Sequence, residues 1–531
     1  MPHAMKTPTR LATLLLLACC SLFSTRAAES LRLVDLNGTA CTPLEAKDKK
    51  AIVLLFITHD CPIANAYAPE VKRICSDYAA KGVAFFLIHV DAALTPELAK
   101  KHAAEYGFDC PVLLDPTHTL VKAVDAHTTP EAFVLSPEGK TLYRGRVDDR
   151  YVDFGKSRAE ATQHDLRNAL DEVLAGKTVT TPATKAVGCF ITAPAAAPTA
   201  TLTFNTDIAP IVFQNCSVCH REGDVAPFAL LSYDDVKRRA HQIASVTHSR
   251  YMPPWKAEPG WGEFQNERRL TVAQIAAIRK WVDDGCIEGN AADKPELPKF
   301  TDGWRLGKPD LILKMPEAYT VAAEGRDVFR CFVLPTGLTE DKFVQAVEYH
   351  PSDRAVVHHA IFFLDSSGAA KKKDDQDPGP GFSSFGGPGF IPTGGLGGWA
   401  PGAMPQMLPD GTARVLKKGS DIVIQTHFHP TGKPEHEQSE IGLYFSKQKP
   451  ERIIAGLTLG NRNIDIAPGQ TGYKVTANIT IPIDVELEGI TPHAHLICQD
   501  MKATATLPDG STKKLLWIKD WISTGRDSIN T

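Results

Sequence analysis

The sequence predicts a multidomain chain: an α/β unit, then an all-α unit, then an all-β half. Three observations predict it. Between residues 30 and 180, apolar strand patterns alternate with helical spacing, the mark of βαβ layers. Between 203 and 290, apolar residues recur every three and four positions, the helical period. From Trp304 onward, short β patterns follow one another between Gly, Pro and Asp, as in antiparallel sandwiches. A length of 531 residues and a 43% hydrophobic fraction leave room for several packed cores. The formal net charge of −4, with mixed signs, gives no basic field for nucleic acid.

Residues 1–28 read as an export signal. Lys6 and Arg10 supply positive charge, residues 11–20 an apolar core, and residues 24–28 small residues for cleavage. The apolar run is too short to span a bilayer. Leu16-Leu17-Ala18-Cys19 also reads as a lipobox, which would put a lipid anchor on Cys19. Export to a periplasmic or extracellular space means an oxidising compartment, where disulfides persist.

The α/β unit is expected over residues 29–177. Ala51–Ile57 is a continuous apolar run, a strand buried on both faces. Residues 62–78 have helical spacing and start at Pro62, a favoured first-turn residue. A strand is expected at 83–90, a helix at 97–106, a strand at 131–136 and a closing helix at 159–174. Thr58-His59-Asp60-Cys61-Pro62 ends the buried strand and opens a helix. Cys61 therefore sits at a helix N-terminus, where the dipole favours thiolate. Thr129-Pro130 precedes a strand and resembles the cis-proline loop that faces the active cysteine of thioredoxin folds. With the βαβ order, this unit resembles the thioredoxin and alkyl hydroperoxide reductase superfamily. Ala64 stands where a CxxC pair needs cysteine, and Leu54 where peroxiredoxins have proline; Thr58 matches their threonine. A dithiol cycle through Cys61 thus needs a distant partner: Cys189, Cys75 or Cys110. The alternative is a structural disulfide or a buried thiol.

Residues 178–201, rich in Thr, Ala and Pro, read as an extended linker. The helical unit follows over 202–295, with helices expected at 208–213, 233–247 and 272–284. Cys216-Ser217-Val218-Cys219-His220 is a CxxCH motif. Two thiols add to haem vinyl groups and the neighbouring histidine ligates the iron. A zinc half-site fits poorly, because no second Cys/His pair follows at zinc spacing. Met252, in Tyr251-Met252-Pro253-Pro254-Trp255, is the expected sixth iron ligand, with His241 and His248 as rivals. Here the chain resembles the cytochrome c family, and this loop resembles cytochrome domains fused to copper oxygenases.

Eight of the 18 histidines fall between His350 and His495. Strands are expected at 310–315, 343–349, 355–364, 421–429 and 471–481, with a long surface loop at 377–402. His493 and His495, two apart in a strand, share a face and can hold one metal. His358 and His359 face opposite ways in a regular strand, so a shared metal requires a local distortion. Imidazole-rich sites with open positions suit copper, and also zinc, iron and nickel. The order HH, QxHxH, HxH resembles the ascorbate-dependent type II copper monooxygenases. That resemblance implies two β-sandwiches, at 300–455 and 456–531, each with one copper. His358, His359 and His427 would form the electron-supplying site, with His429 as the alternative to His427. His493 and His495 would hold the copper that binds O₂. The family's downstream methionine ligand has no clear counterpart, since Met501 is the only methionine after the HxH. The region after Trp517 reads as cut short, so the second sandwich is expected to be truncated.

The expected function is an exported haem c and copper monooxygenase. It would hydroxylate a small-molecule or peptide-like substrate with O₂, drawing electrons from a redox partner or reductant and relaying them by the haem. One alternative is a non-enzymatic electron-transfer or metal-binding protein. Another is a thiol–disulfide reductase or peroxidase acting through Cys61.

Overall fold

A computed structural model describes residues 31–191, 202–494 and 498–521, apart from single positions 47, 93, 266, 302 and 462. The export segment with Cys19, the end of the expected linker and His495 lie outside the described residues.

The N-terminal unit is a seven-stranded sheet with helices on both faces. Its strands are β1 (Leu33–Asp35), β2 (Ala40–Cys41), β3 (Ala51–Ile57), β4 (Val83–His89), β5 (Val112–Leu114), β7 (Glu131–Leu135) and β8 (Thr141–Gly145), in the order β2-β1-β5-β4-β3-β7-β8. β3, β4 and β5 run parallel, and β7 pairs antiparallel to β3. All seven residues of β3 are buried, as its continuous apolar run requires when both faces are covered. Between the strands lie α1 (Pro62–Ala66), α2 (Ala68–Ala79), α3 (Pro96–Tyr106), α4 (Thr119–Val124) and the two-residue strand β6 (Thr128–Thr129). A small pair, β9 (Tyr151–Asp153) and β10 (Lys156–Ser157), precedes α5 (Asp165–Leu174).

Three expectations need correction here. The helix expected over 62–78 is two helices that break at Tyr67. Pro69 has no N–H to give the Asn65 carbonyl, so a continuous helix loses a bond there. The closing helix starts at Asp165 rather than 159, because Asp149 draws in the Thr162 and Gln163 backbone N–H groups and the Thr162 hydroxyl. The expected linker is tied back onto this unit: β11 (Cys189–Phe190) pairs antiparallel with β6, Cys189 opposite Thr129.

The helical unit comprises a π-helical turn at Phe204–Ile208, α6 (Ala209–Asn215), α7 (Tyr233–Arg238), α8 (Ala240–His248) and α9 (Val272–Asp283). They close over Phe204, Val212, Ile278 and Trp281. The helix expected over 233–247 is broken at Arg239.

The main core of the β half is built from Met315, Phe332, Tyr349, Phe362, Ile424 and Leu443 among others, with a smaller cluster of Cys331, Val333, Ala370, Phe382 and Val423 beside it. Its strands are β12 (Leu311–Lys314), β13 (Tyr319–Val321), β14 (Val328–Pro335), β15 (Lys342–His350) and β16 (Val357–Asp365). After α10 (Ala369–Asp374) come β17 (Phe382–Ser383), β18 (Gly394–Trp399), β19 (Thr412–Leu416), β20 (Asp421–Phe428), β21 (Glu435–Glu437), β22 (Glu440–Phe445) and β23 (Arg452–Ile453). One sheet runs β12-β22-β15-β19-β23, the other β17-β14-β20-β16-β18. The stretch 377–402 is therefore not only a surface loop, since β17 and β18 are the edges of the second sheet. The strand expected at 471–481 is not formed. Val475, Ile479 and Ile481 are 43%, 53% and 46% exposed, and a strand with no facing layer cannot bury its apolar side. Among the described residues after 453, regular structure is confined to the hairpin β24 (Met501–Thr506) and β25 (Thr512–Ile518). Leu516 and Ile518 of that hairpin pack with Trp255 and Phe264 of the helical unit. A second sandwich is thus not present there. No helix among the described residues is long and apolar enough to cross a membrane.

Candidate functional site

The first site is a pair of thiols. Cys61 caps α1, and its sulfur accepts the Ala64 N–H at 3.4 Å. The same sulfur lies 3.1 Å from the Thr129 carbonyl, in the loop whose Thr129–Pro130 peptide is cis. β11 brings Cys189 to Cys61, 128 positions further along the chain, so that the two thiols hydrogen-bond. Gly188 permits this approach: a Cβ there would meet the Thr129 carbonyl oxygen at 2.0 Å. Cys61 is fully buried and Cys189 is 6% exposed. Burial alone pushes the Cys61 thiol up; hydrogen bonds from Cys189 and from the Ala64 N–H outweigh it and bring Cys61 to about 7. Cys189, as donor to that sulfur and itself buried, is pushed well up. Cys61 is thus the sulfur that ionises more readily, and Cys189 the one that keeps its proton. Cys75 and Cys110 form a disulfide with each other, which removes them as partners for Cys61.

The flank of this site carries charge. His59 Nδ1 lies 2.9 Å from Asp91, and Arg238 lies 3.8 Å from the same carboxylate. Asp60 pairs with Arg239. His59, Asp60 and Asp91 come close enough to share a metal ion, but two guanidiniums already balance their charge.

The second site is the CxxCH turn. The Cys219 and His220 N–H groups both donate to the Cys216 carbonyl, at 3.1 and 2.9 Å. The Ser217 hydroxyl, buried, donates to the Leu230 carbonyl at 2.7 Å. His220 Nδ1 donates to the Phe228 carbonyl at 3.1 Å. A carbonyl can only accept, so the proton is on Nδ1 and Nε2 keeps its lone pair, the state in which a histidine binds a metal. Burial holds this ring well below the usual value, at about 4. Met252 stands after α8, its N–H on the Val246 carbonyl. It lines a cavity with Thr247, Pro253, Trp255 and Leu270, whose lining does not include Cys216, Cys219 or His220. His241 and His248 lie on α8 itself.

The third site is a histidine cluster on β16 and β20. The register between them shifts between Val357 and His359; this is the distortion that adjacent histidines need to share one side. His358 Nδ1 lies 2.9 Å from His427 Nδ1 and 3.3 Å from His359 Nδ1. His427 gives its Nε2–H to Asp327 at 2.8 Å, so its Nδ1 presents a lone pair to the cluster. Three nitrogens converging in this way suit a bound cation, with Asp327 orienting one of them. Sequence reasoning missed Asp327, which sits just before β14 with no motif around it. His429 is held by the other Asp327 oxygen at 2.7 Å, and His427 is the residue in the cluster. The His493 ring lies 5.9 Å from that of His359, so this C-terminal histidine stands beside the cluster, outside the three residues close enough to share an ion.

A mixed sheet with a parallel centre, whose cis-proline loop faces a helix-capping cysteine, defines the N-terminal unit as a thioredoxin-like α/β domain. Residues 24–161 match the family described as Redoxin, and this part of the chain is a redoxin domain. No curated protein matches the chain. Similar solved structures include a hypothetical protein from Sinorhizobium meliloti, at 32% identity over 31% of this chain and 92% of that one, TM-score 0.29. An uncharacterized conserved protein from Geobacillus kaustophilus is 31% identical over 30% of this chain and 88% of that one, TM-score 0.28. A secreted Mycobacterium tuberculosis disulfide oxidoreductase is 16% identical over 28% of this chain and 96% of that one, TM-score 0.20.

Proposed function

We propose that the chain is an exported thiol–disulfide oxidoreductase, with Cys61 as the attacking thiolate and Cys189 as the resolving thiol. The observation that carries this reading is the Cys61–Cys189 contact at the head of α1, held by the β11–β6 pairing. Near neutral pH the Cys61 thiolate attacks one sulfur of a substrate disulfide and forms a mixed disulfide, releasing the other sulfur as thiolate. Cys189 loses its proton, attacks Cys61, and closes the internal disulfide while the substrate leaves fully reduced. A hydroperoxide is the alternative oxidant: attack on its terminal oxygen breaks the O–O bond, releases an alcohol or water, and gives a sulfenic acid, which Cys189 resolves to the same disulfide with loss of a second water. The N-terminal leader pattern and the Cys75–Cys110 disulfide support an oxidising, periplasmic or extracellular location. Turnover of a model disulfide and of hydrogen peroxide by wild type, Cys61→Ser and Cys189→Ser tests this. Loss of turnover in Cys61→Ser supports it, and equal turnover in all three sinks it.

A second reading is favoured by the other two sites. In it, Cys216 and Cys219 carry haem c covalently, His220 ligates its iron through Nε2, and Met252 is the proposed sixth ligand. His358, His359 and His427 hold copper, and His493 with His495 hold the proposed second copper. The haem supplies one-electron transfer, and copper supplies one-electron redox chemistry and O₂ activation toward a small-molecule or peptide-like substrate. The His220–Phe228 hydrogen bond supports the His220 assignment, and the converging Nδ1 atoms support that of His358, His359 and His427. Metal analysis and EPR of protein matured in a haem-attaching host test them. Haem with type II copper supports this reading, and protein without copper removes its monooxygenase part.

A further inference from the structure

The thiol pair and the CxxCH turn are joined by a short run of contacts through one arginine. Arg239 lies at the break between α7 and α8 and is 5% exposed. Its guanidinium pairs with Asp60, the residue before Cys61, and lies within electrostatic reach of Cys189. The same guanidinium stands 4.9 Å over the Phe228 ring. That ring packs 4.8 Å from the His220 ring, and the Phe228 carbonyl holds His220 Nδ1 at 3.1 Å. A second tie runs alongside: the Phe190 N–H, next to Cys189, donates to Gln242 of α8 at 3.0 Å. Two side chains, Arg239 and Phe228, thus span the gap between the cysteine loop and the histidine assigned to iron. The helical unit packs on this face of the redoxin domain, where Cys61 and Cys189 are buried.

We propose that the Cys61/Cys189 pair exchanges electrons with haem bound at the CxxCH turn, so that the redoxin domain and the helical unit form one redox circuit. The proposal rests on the haem reading above. In the oxidative direction, the Cys61 thiolate and Cys189 thiol lose two electrons and one proton and form one S–S bond. Haem held by Cys216, Cys219 and His220 would take these electrons one at a time, with a soluble ferric complex as the one-electron oxidant that accepts both. The proton leaves to solvent. The reverse direction would cleave the S–S bond with one proton and two electrons, drawn one at a time through the haem from an external one-electron reductant.

The test is anaerobic stopped-flow mixing of ferric holoprotein with a small dithiol reductant, following the haem absorption bands, with quenched samples alkylated to count thiols. The expected result has haem reduction following reduction of the Cys61–Cys189 disulfide. Its fast phase is independent of protein concentration, as for an intramolecular step. That phase is lost in Cys61→Ser and in Cys189→Ser, while both variants keep the wild-type haem spectrum. Phe228→Leu, which keeps both thiols, slows the fast phase. Identical haem reduction in wild type and both cysteine variants overturns the exchange and leaves the haem reading standing. Protein that carries no covalent haem, seen by intact mass, overturns the haem reading and this proposal together.

Discussion

The Cys189 thiol hydrogen-bonds to the Cys61 sulfur, although 128 positions separate them in the chain. A two-residue strand makes the meeting possible. Cys189 pairs with Thr129, and the Thr129 carbonyl lies 3.1 Å from Cys61. The redoxin domain thus lacks a CxxC pair yet still brings a second sulfur to the helix-capping one.

This geometry sets a pH dependence. Cys61 titrates at about 7 in the folded, reduced protein, below the roughly 8.5 of an unfolded cysteine. A depressed value means that the folded state holds the thiolate more readily. The resulting stabilisation is fully present above about 8.5 and is lost as pH falls through about 7. Reduced wild type should gain melting temperature relative to Cys61→Ser between those limits. A constant difference across that range contradicts the assignment. Thiolate absorbance should rise through the same lower midpoint, and in Cys189→Ala the midpoint should move up, because the hydrogen-bond donor is gone.

Gly188 is a second point of control. In Gly188→Ala the new methyl group meets the Thr129 carbonyl, so β11 must shift. The expected cost is about 1–3 kcal/mol of stability, with a fall in Cys61–Cys189 disulfide formation at fixed redox poise. Chemical denaturation and thiol counting measure the two effects separately.

Asp327 should govern metal retention at the histidine cluster. Asp327→Ala removes the acceptor that orients His427 and also frees His429. Copper affinity in a competition assay should fall by roughly 10–100-fold. The titration of Cys61 should stay unchanged, which separates this effect from misfolding.

Asp224 ties the CxxCH loop to the β half. Its carboxylate accepts from Arg221 at 2.7 Å, Arg305 at 2.7 Å and Arg354 at 3.0 Å, with only 4% of its side chain exposed. Asp224→Ala leaves three guanidiniums without it. Because those arginines are partly exposed, the expected loss is about 2–4 kcal/mol, below the top of the range for a buried ion pair. Urea denaturation reads it.

Much of this was legible where local pattern and tertiary structure agree. β3 follows from its apolar run, Cys61 from the strand-to-helix junction, and the His358/His359 bulge from the need to share one face. The rest depends on partners far away in the chain. Pro69 marks the helix break, but helical spacing on both sides hides it. β11 has two residues, too few for a periodic signal, and it lies in a segment with linker composition. β18 is a glycine-rich edge strand, so it lacks the side chains by which strands are read. Asp327 has meaning only through His427, 100 positions later. At 471–481 the strand pattern is present, but there is no facing layer to bury it.

The central claim is that Cys61 and Cys189 form a redox couple. Peptide mapping by mass spectrometry, after equilibration across a series of glutathione poises and acid quenching, tests it most directly. The account predicts a Cys61–Cys189 disulfide that opens and closes as one two-electron step, while Cys75–Cys110 stays paired. Cys61 and Cys189 recovered as separate free thiols at every poise would contradict it.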